Sequence, residues 1–343
     1  MQKKLICTVA GAALLAGSMS AQAAGDLYFY NWTDYTPDDL LEKFEADTGI
    51  KVTMDTYDSN ETLLAKLKSG ATGYDLAVPS SNFVSIMISE DLLEKVDVKS
   101  MPNYKNVDPK WQGPAWDPDQ MYSSPYQFGT TSFAIRTDAE GTSCESLKYF
   151  FEPEGDACGN LSVFKTPEEV ASMAQLYLGQ EYCQDDSDSL KAIQALLIKQ
   201  NKCAKVYSSE GMIDRMATKT VTTTNAWNGD AMRAREEGTP IQYCYPKEGV
   251  VGWFDSLVIP KGARNKENAE IFMNWLMDGE NMAKVSNFAR YANAIPSSSE
   301  FLDAALAGAP ENNPPADVEV RVSETCGPKF VKALDKIWTK LLQ

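Results

Sequence analysis

The sequence predicts an α/β protein built from two lobes. One observation is the alternation of apolar strands and helices over residues 26–78, because strands separated by helices form parallel βαβ units. A second is a similar alternation after residue 136. The third is the length of 343 residues, since a chain this long forms two domains more readily than one.

The first elements carry ordinary local signals. Residues 26–31 are rich in aromatic residues and alternate, which predicts a strand. We expect a helix to begin with Thr36 as its N-cap and Pro37 at its first position. Gly49 should end that helix, and residues 50–57 alternate as a second strand.

The next segment repeats the pattern. Ser59 is expected to cap a second helix that stops at Gly70. A short apolar strand over 74–78 follows, and residues 79–81 resemble another helix start. Residues 99–120 contain four prolines and little periodicity, so we expect a surface loop there.

Residues 126–136 look extended and could leave the first lobe. Trp111 and Trp116, in the preceding loop, are more typical of packing or lid residues than of ligand residues. The later predicted helices lie near residues 166–178, 188–200, 209–217, 229–237, 266–277, 280–287 and 328–342. The later extended segments lie at residues 219–225, 241–245 and 253–260.

The N-terminus has the pattern of a secretory signal peptide. Lys3 and Lys4 precede an apolar run over 5–16, and residues 21–23 (Ala-Gln-Ala) have the form that signal peptidase recognises. The run is shorter than the roughly 20 apolar residues of a membrane span, although a retained anchor is the alternative. We predict a signal peptide over residues 1–23, with cleavage after Ala23 or, alternatively, Ala24.

The mature chain is strongly acidic. Removal of the two lysines of the signal peptide leaves 30 basic against 48 acidic residues, a net charge of −18. Such a chain does not favour nucleic acid or an anionic membrane surface. The charge suits a cationic ligand, or it serves only to keep an exported protein in solution.

Six cysteines remain after the signal peptide. None of them forms a C-x-x-C pair, which makes zinc and thioredoxin-like sites poor interpretations. An even number in an exported protein indicates disulfides. Pairing between sequence neighbours is the simplest expectation and would give Cys144–Cys158, Cys183–Cys203 and Cys244–Cys326.

The sequence lacks the residues of several common catalytic systems. It contains no histidine, so Ser-His-Asp and Cys-His nucleophiles and histidine metal sites are excluded. Phosphate-binding loops, dinucleotide-binding glycine motifs and G-x-S-x-G elbows are also missing. Residues 185–188 (Asp-Asp-Ser-Asp) resemble a calcium loop but lack its glycine and distal glutamate, so a helix start is expected. We expect no cofactor and no metal, while catalysis by carboxylates alone stays open.

Three segments place an acid near a tryptophan: 32–34, 227–230 and 253–255. Aromatic faces attract a cation and cover its methylenes, and carboxylates accept charge-assisted hydrogen bonds from ammonium protons. The combination favours an alkyl ammonium ligand. A sugar is the alternative, since sugars stack on tryptophan and bond to carboxylates. Each segment taken alone could also be a packed tryptophan or a turn.

Eight short segments occur in the order of a known family. They are residues 30–35, 49–52, 57–61, 73–80, 227–230, 246–249, 253–256 and 291–294. On these residues the chain resembles the periplasmic spermidine/putrescine-binding proteins of bacterial polyamine ABC transporters. The resemblance implies a type II periplasmic-binding-protein fold whose two lobes close on a ligand by hinge motion.

The resemblance also implies a function and a set of ligand residues. We expect a monomer in the periplasm that is not an enzyme, captures a polyamine and delivers it to an inner-membrane ABC permease. The family's ligand positions match Trp32, Thr33, Asp34, Tyr35, Ser80, Glu169, Ser208, Trp227, Asp230, Trp253, Asp255 and Tyr291. Asp230 would hold one ammonium end and Asp255 the other.

The family pattern leaves the preferred polyamine open. Asp34 and Asp230 are typical of putrescine-binding relatives, whereas Thr33 and Trp253 are typical of spermidine-binding relatives. The implied lobes are discontinuous. Lobe 1 covers residues 24–132 and about 256–298, and lobe 2 covers residues 133–255 and about 299–343.

Overall fold

The computed structural model describes residues 25–70 and 73–343, so the predicted signal peptide lies outside the described residues. The strands are β1 (Gly25–Trp32), β2 (Ile50–Tyr57), β3 (Leu76–Ala77), β4 (Ser123–Arg136), β5 (Leu161–Val163), β6 (Ala204–Tyr207), β7 (Thr223–Trp227), β8 (Ile241–Tyr243), β9 (Val250–Val258), β10 (Ala292–Asn293) and β11 (Val320–Val322). The helices are α1 (Asp38–Thr48), α2 (Asn60–Lys68), α3 (Ser81–Ser89), α4 (Lys148–Phe151), α5 (Pro167–Leu178), α6 (Ser187–Asn201), α7 (Met212–Ala217), α8 (Asn228–Glu236), α9 (Lys266–Leu276), α10 (Gly279–Ala289), α11 (Ala304–Ala307) and α12 (Pro328–Leu341).

These eleven strands form one mixed sheet, in which eight follow the order β2-β1-β3-β9-β4-β7-β5-β6, while β8 and β10 pair with β4 and β11 pairs with β9. Strand β1 is parallel to β2 and β3, and β5 is parallel to β6 and β7, which are the parallel units expected from strand–helix alternation. Strands β4 and β9 run antiparallel to each other between the two parallel groups. They connect the lobes because β4 also pairs with β7 and β9 also pairs with β3.

Separate hydrophobic clusters stabilise the two sides of this connection. One contains Phe29, Phe44 and Phe272, and another contains Phe133 and Phe150. Burial of side chains of this size contributes roughly 1.5–3 kcal/mol each. The α/β class is confirmed, whereas the residue boundaries of the lobes stay a prediction.

Most of the helix ends that the sequence predicts are observed close to the predicted residues. Gly49 follows α1 in the left-handed conformation with φ of 76°, and the Ser59 side chain accepts a hydrogen bond from the Thr62 N–H at the start of α2. Asp186 caps α6 in the same way, which confirms a helix start there. Helix α2 ends at Lys68, two residues before the predicted stop at Gly70.

The predicted N-cap of α1 is wrong. Pro37 holds the cap position, and no side chain accepts from the first turn. The Thr36 hydroxyl is buried, accepts a hydrogen bond from the Asn31 side chain at 2.7 Å and lies 2.7 Å from the Tyr126 hydroxyl. The Thr36 hydroxyl therefore does not cap α1, because it points into the interior toward Asn31 and Tyr126 and cannot also reach the backbone N–H groups of the first turn.

The predicted pairing of neighbouring cysteines is also wrong. The three disulfides are Cys144–Cys244, Cys158–Cys203 and Cys183–Cys326. Tertiary structure decides the partners. Strands β5 and β6 are parallel neighbours with Leu161 paired to Ala204, so Cys158 and Cys203 meet just before them.

Among the described residues, no helix combines the length and hydrophobicity that a membrane span requires.

Candidate functional site

The candidate site is a cavity of about 450 Å³ between the two lobes. Trp32 at the end of β1, Ser80 after β3 and Trp227 at the end of β7 all line it. Ligands of α/β proteins bind beyond the carboxyl ends of parallel strands, and these three positions meet that description. The fold therefore brings residues that are far apart in the sequence to one cavity.

Aromatic rings form much of the wall. The Trp32 and Trp227 ring centroids lie 6.2 Å apart at 69°, with one ring from each lobe. Trp253 and Tyr291 meet edge to face at 5.0 Å, and Tyr35 lies 5.7 Å from Tyr291. The Trp32 indole N–H donates to the Val78 carbonyl at 2.9 Å, which fixes that ring in place. Such faces suit a flexible alkyl chain and a cation.

Asp255 is the most deeply buried acid in this wall, with 4% of its surface exposed. Tyr35 donates its hydroxyl to Asp255 Oδ2 at 2.8 Å, and Ser80 donates to Oδ1 at 2.7 Å. Burial raises the pKa of Asp255 to about 7, although both hydrogen bonds act in the opposite direction and the negative charge of Glu169 adds to the rise. An added cation would therefore stabilise the charged carboxylate.

Asp230 lies in the first turn of α8. Its Oδ1 accepts from Arg233 at 2.7 Å and from the Tyr291 hydroxyl at 3.2 Å. Both of these contacts use the same oxygen, so Oδ2 is available for another donor.

Gly229 allows Tyr291 to come this close, because a Cβ at residue 229 would lie 2.5 Å from both the Ala289 carbonyl oxygen and Tyr291 Cε1.

Glu169 lies in the first turn of α5. Its Oε1 accepts from Thr131 at 2.6 Å and from the Trp227 indole N–H at 3.0 Å. These donors orient the carboxylate and the indole together, and they leave Oε2 for another partner.

The cavity has a strong negative charge. Among the described residues that line it, eleven are acidic and one, Arg233, is basic. Arg233 is paired with Asp230, so no lining cation is left to balance the other carboxylates. An excess of carboxylates with low-dielectric aromatic walls attracts cations and disfavours anions.

Two residues at the end of β1 lie at the mouth of the cavity. The Thr33 hydroxyl donates to Glu210 Oε1 at 3.3 Å, which links the first lobe to the second. Asp34 is exposed and has a positive φ of 55°, in the left-handed region that aspartate tolerates better than most residues. The turn places both side chains on the cavity wall.

The structure brings eleven of the twelve predicted ligand residues to this cavity. Ser208 is the exception. Its hydroxyl donates to the Glu210 carbonyl at 3.1 Å within its own turn, while the following residues Ser209 and Glu210 line the wall. The cavity gives the Ser208 prediction no support. The binding role of the other eleven stays a prediction.

Sequence reasoning missed Glu61, Asn82 and Glu168, which also line the cavity. Each is the second residue of its helix, in α2, α3 and α5. The signal was available in principle, since helices that follow parallel strands begin at the edge of the sheet where ligands bind. Trp111 and Trp116 instead pack on Phe254, as the packing interpretation expected.

Comparison with known proteins shows which family and which characterised proteins this chain resembles. Residues 39–314 match the bacterial extracellular solute-binding protein family. The spermidine/putrescine-binding periplasmic protein of Escherichia coli (strain K12) is 40% identical over 271 residues, which cover 78% of this chain and 77% of that one. The putrescine-binding periplasmic protein PotF of the same organism is 31% identical over 364 residues, covering 99% and 98%.

A solved structure shows the same architecture. The spermidine/putrescine ABC transporter substrate-binding protein PotD of Streptococcus pneumoniae superposes with a TM-score of 0.76 at 26% identity, and the match covers 93% of this chain and 99% of that one. The predicted two-lobed fold and the predicted family resemblance are both confirmed.

Proposed function

The chain belongs to the bacterial extracellular solute-binding protein family, and we propose that it binds a polyamine between its lobes. It acts in the periplasm, hands the ligand to an inner-membrane ABC permease and carries out no catalysis. The observation that carries this proposal is the presence of Asp255 and Asp230 beside an aromatic wall, in a cavity where Arg233, the one cation among the described lining residues, is already paired. Spermidine and putrescine appear in the names of the similar proteins.

The chemistry of a protonated polyamine fits these walls. The attraction between an aromatic ring and a nearby cation contributes on the order of 0.5–2 kcal/mol to the binding free energy. Burial of each CH₂ contributes about 0.8 kcal/mol. Asp255 already accepts two neutral hydrogen bonds, so an ammonium group would supply the missing positive charge. Asp230 Oδ2 and Glu169 Oε2 are further acceptors, since the hydrogen bonds described above use Oδ1 and Oε1.

Another amine or a sugar is the alternative ligand for the same fold. A neutral sugar leaves Asp255 without a counter-charge in a buried position, and that costs free energy. A hydrolase that uses carboxylates is a more distant alternative. Turnover of a glycoside by the purified protein would favour it.

Calorimetry with ligand-stripped protein tests the proposal. Putrescine, spermidine and agmatine should release heat and saturate at one site, whereas a neutral sugar should not. The same order should appear as rises in melting temperature, because a ligand that binds the native state stabilises it. Folded protein that gives no signal with any amine would refute the proposal.

Location and transport need separate measurements. The mass of the protein isolated from periplasm should correspond to a chain that begins after Ala23 or Ala24. Uptake of radiolabelled polyamine by cells should depend on the gene. Uptake that is unchanged in a deletion strain would contradict the transport role even if binding is observed.

A further inference from the structure

The wall of the cavity contains a positive charge that a site for cations does not need. Among the described residues that line the cavity, Arg233 is the one basic side chain, and it belongs to helix α8. A fixed cation in the wall disfavours a cationic ligand, because like charges brought close together repel each other. The presence of Arg233 therefore calls for an explanation that the acids and aromatic rings do not.

Arg233 forms its ion pair with Asp230. The two residues are three positions apart in α8, which places them on one face of the helix, and Arg233 Nη2 lies 2.7 Å from Asp230 Oδ1. Their side chains are 18% and 15% exposed, so solvent screens the pair only in part. Burial acts to lower the pKa of Arg233, but the charge of Asp230 raises it overall, and the guanidinium stays charged.

The ion pair leaves hydrogen-bonding capacity on both partners. It uses one nitrogen and one oxygen, rather than the two parallel hydrogen bonds with which an arginine holds a carboxylate most firmly. Arg233 Nε is buried and has no hydrogen-bond partner among the described residues. The Tyr291 hydroxyl donates to the same oxygen of Asp230 at 3.2 Å. Oδ2 can therefore accept from a ligand, although the charge of the carboxylate is already balanced.

Asp255 has partners of a different kind. Its donors are the hydroxyls of Tyr35 and Ser80, which are neutral, and the one lining cation is paired with Asp230 instead. The rings of Tyr35 and Tyr291, 5.7 Å apart, connect the two acids, because the hydroxyl of each ring donates to one of them. The cavity thus contains one carboxylate without a counter-charge and one whose charge is balanced.

We propose that Arg233 is a specificity-determining residue, which takes the place of a ligand charge at Asp230 and reduces the selectivity of the cavity for a second ammonium group. One ammonium group of the ligand binds at Asp255. The other end of the ligand is held near Asp230 mainly as a hydrogen-bond donor. This inference rests on the proposed polyamine function.

Two ligands of equal chain length test the inference. Putrescine has an ammonium group at each end and n-butylamine has one, so the ratio of their affinities reports on the second ammonium group. Calorimetry on the mature protein measures this ratio, with n-butylamine displaced by putrescine. Arg233→Gln should bind putrescine about tenfold or more tightly than the wild type, because the second ammonium group gains an unpaired carboxylate. The affinity for n-butylamine should stay within about threefold, since its ammonium group binds at Asp255.

Arg233→Lys and Arg235→Gln are the controls. Lysine keeps the positive charge at residue 233 and should restore most of the wild-type ratio. Arg235 lies two positions later in α8, is paired with Glu311 and is not among the described residues that line the cavity. Arg235→Gln therefore removes the same charge from the same helix and should leave the ratio unchanged. Thermal unfolding shows whether each variant is folded.

Three results would overturn the inference while polyamine binding by the wild type stands. If Arg233 serves only to orient Asp230, then Arg233→Gln should weaken putrescine binding and the ratio should fall. An equal ratio in the wild type and Arg233→Gln would show that Arg233 does not act on the second ammonium group. An equal rise in Arg235→Gln would assign the effect to the overall charge of the helix. Wild-type protein that binds neither amine would refute the proposed function and this inference together.

Discussion

The Tyr35 hydroxyl and the Asp255 carboxylate form a 2.8 Å hydrogen bond that joins the turn after β1 to strand β9. The two residues are 220 positions apart in the sequence. The bond holds a buried carboxylate at the cavity wall and favours its charged form. It thus links the fold of the first lobe directly to the charge of the site.

Asp255→Ala should weaken polyamine binding about 50-fold or more, because the ammonium loses its charge partner in a buried position. Calorimetry or equilibrium dialysis measures the change. Asp214→Asn is a suitable control, since Asp214 lines the same cavity but is exposed. An affinity for Asp255→Ala close to that of the control would remove Asp255 from the site.

Polyamine affinity should fall as pH decreases below about 7. The pKa of Asp255 in the ligand-free protein is raised to about 7, so at lower pH the carboxyl is neutral and its proton competes with the ligand. One such group weakens binding by up to about tenfold for each pH unit below its pKa. A titration of affinity between pH 5 and 8 gives the midpoint.

Tyr35→Phe assigns that midpoint to Asp255. Loss of the hydroxyl removes a hydrogen bond that lowers the pKa of Asp255, so the midpoint should move to higher pH. Tyr57→Phe is the matched control, because it removes a buried hydroxyl that donates to the Val78 carbonyl instead. A midpoint that is the same in all three proteins would show that another group controls the pH dependence.

Local signals predicted much of the fold. The strand β1, the end of α1 at Gly49 and the Ser59 cap of α2 each depend on a few neighbouring residues. Strands β5 and β6 were missed because they have three and four residues and no alternation long enough to detect. Thr36 was assigned wrongly because its partner Tyr126 is 90 positions away.

The same contrast between local signals and long-range contacts applies to the residues of the site. Asp255 could be predicted because an acid inside an apolar strand needs a partner. For Glu168 and Glu61 the sequence offers only the general rule that helices after parallel strands begin near the ligand. Which residues of those helix starts reach the cavity depends on how two helices from different lobes are placed. Cysteine partners likewise depend on tertiary contacts, as the separation of 143 positions between Cys183 and Cys326 shows.

Gly229→Ala should weaken binding and lower stability, although alanine is intrinsically the better helix residue by about 1 kcal/mol. The added Cβ would lie 2.5 Å from the Ala289 carbonyl oxygen and from Tyr291 Cε1. The backbone oxygen cannot move freely, so Tyr291 and its contact with Asp230 would shift. The melting temperature and the polyamine affinity should both fall. Gly327→Ala, where the new atom meets nothing within 4 Å, should leave the affinity unchanged and lower the melting temperature only slightly, because Gly327 is the N-cap residue of α12 and alanine is a poorer N-cap.

Replacement of Cys183 and Cys326 by serine should destabilise the protein by about 2–5 kcal/mol, because the disulfide restricts the unfolded chain. The bond also ties the loop after α5 to the segment with Thr325, whose hydroxyl donates to the Asn82 backbone carbonyl across the cleft. Ligand dissociation should therefore be faster in the double variant even at temperatures where it is folded. Denaturant unfolding and stopped-flow release measure the two effects.

The Cys158→Ser, Cys203→Ser pair is the control, since that disulfide lies at the start of β5 and β6. It should lower stability and leave ligand release unchanged, and equal release rates in the two double variants would show that the Cys183–Cys326 bond has no role in holding the ligand.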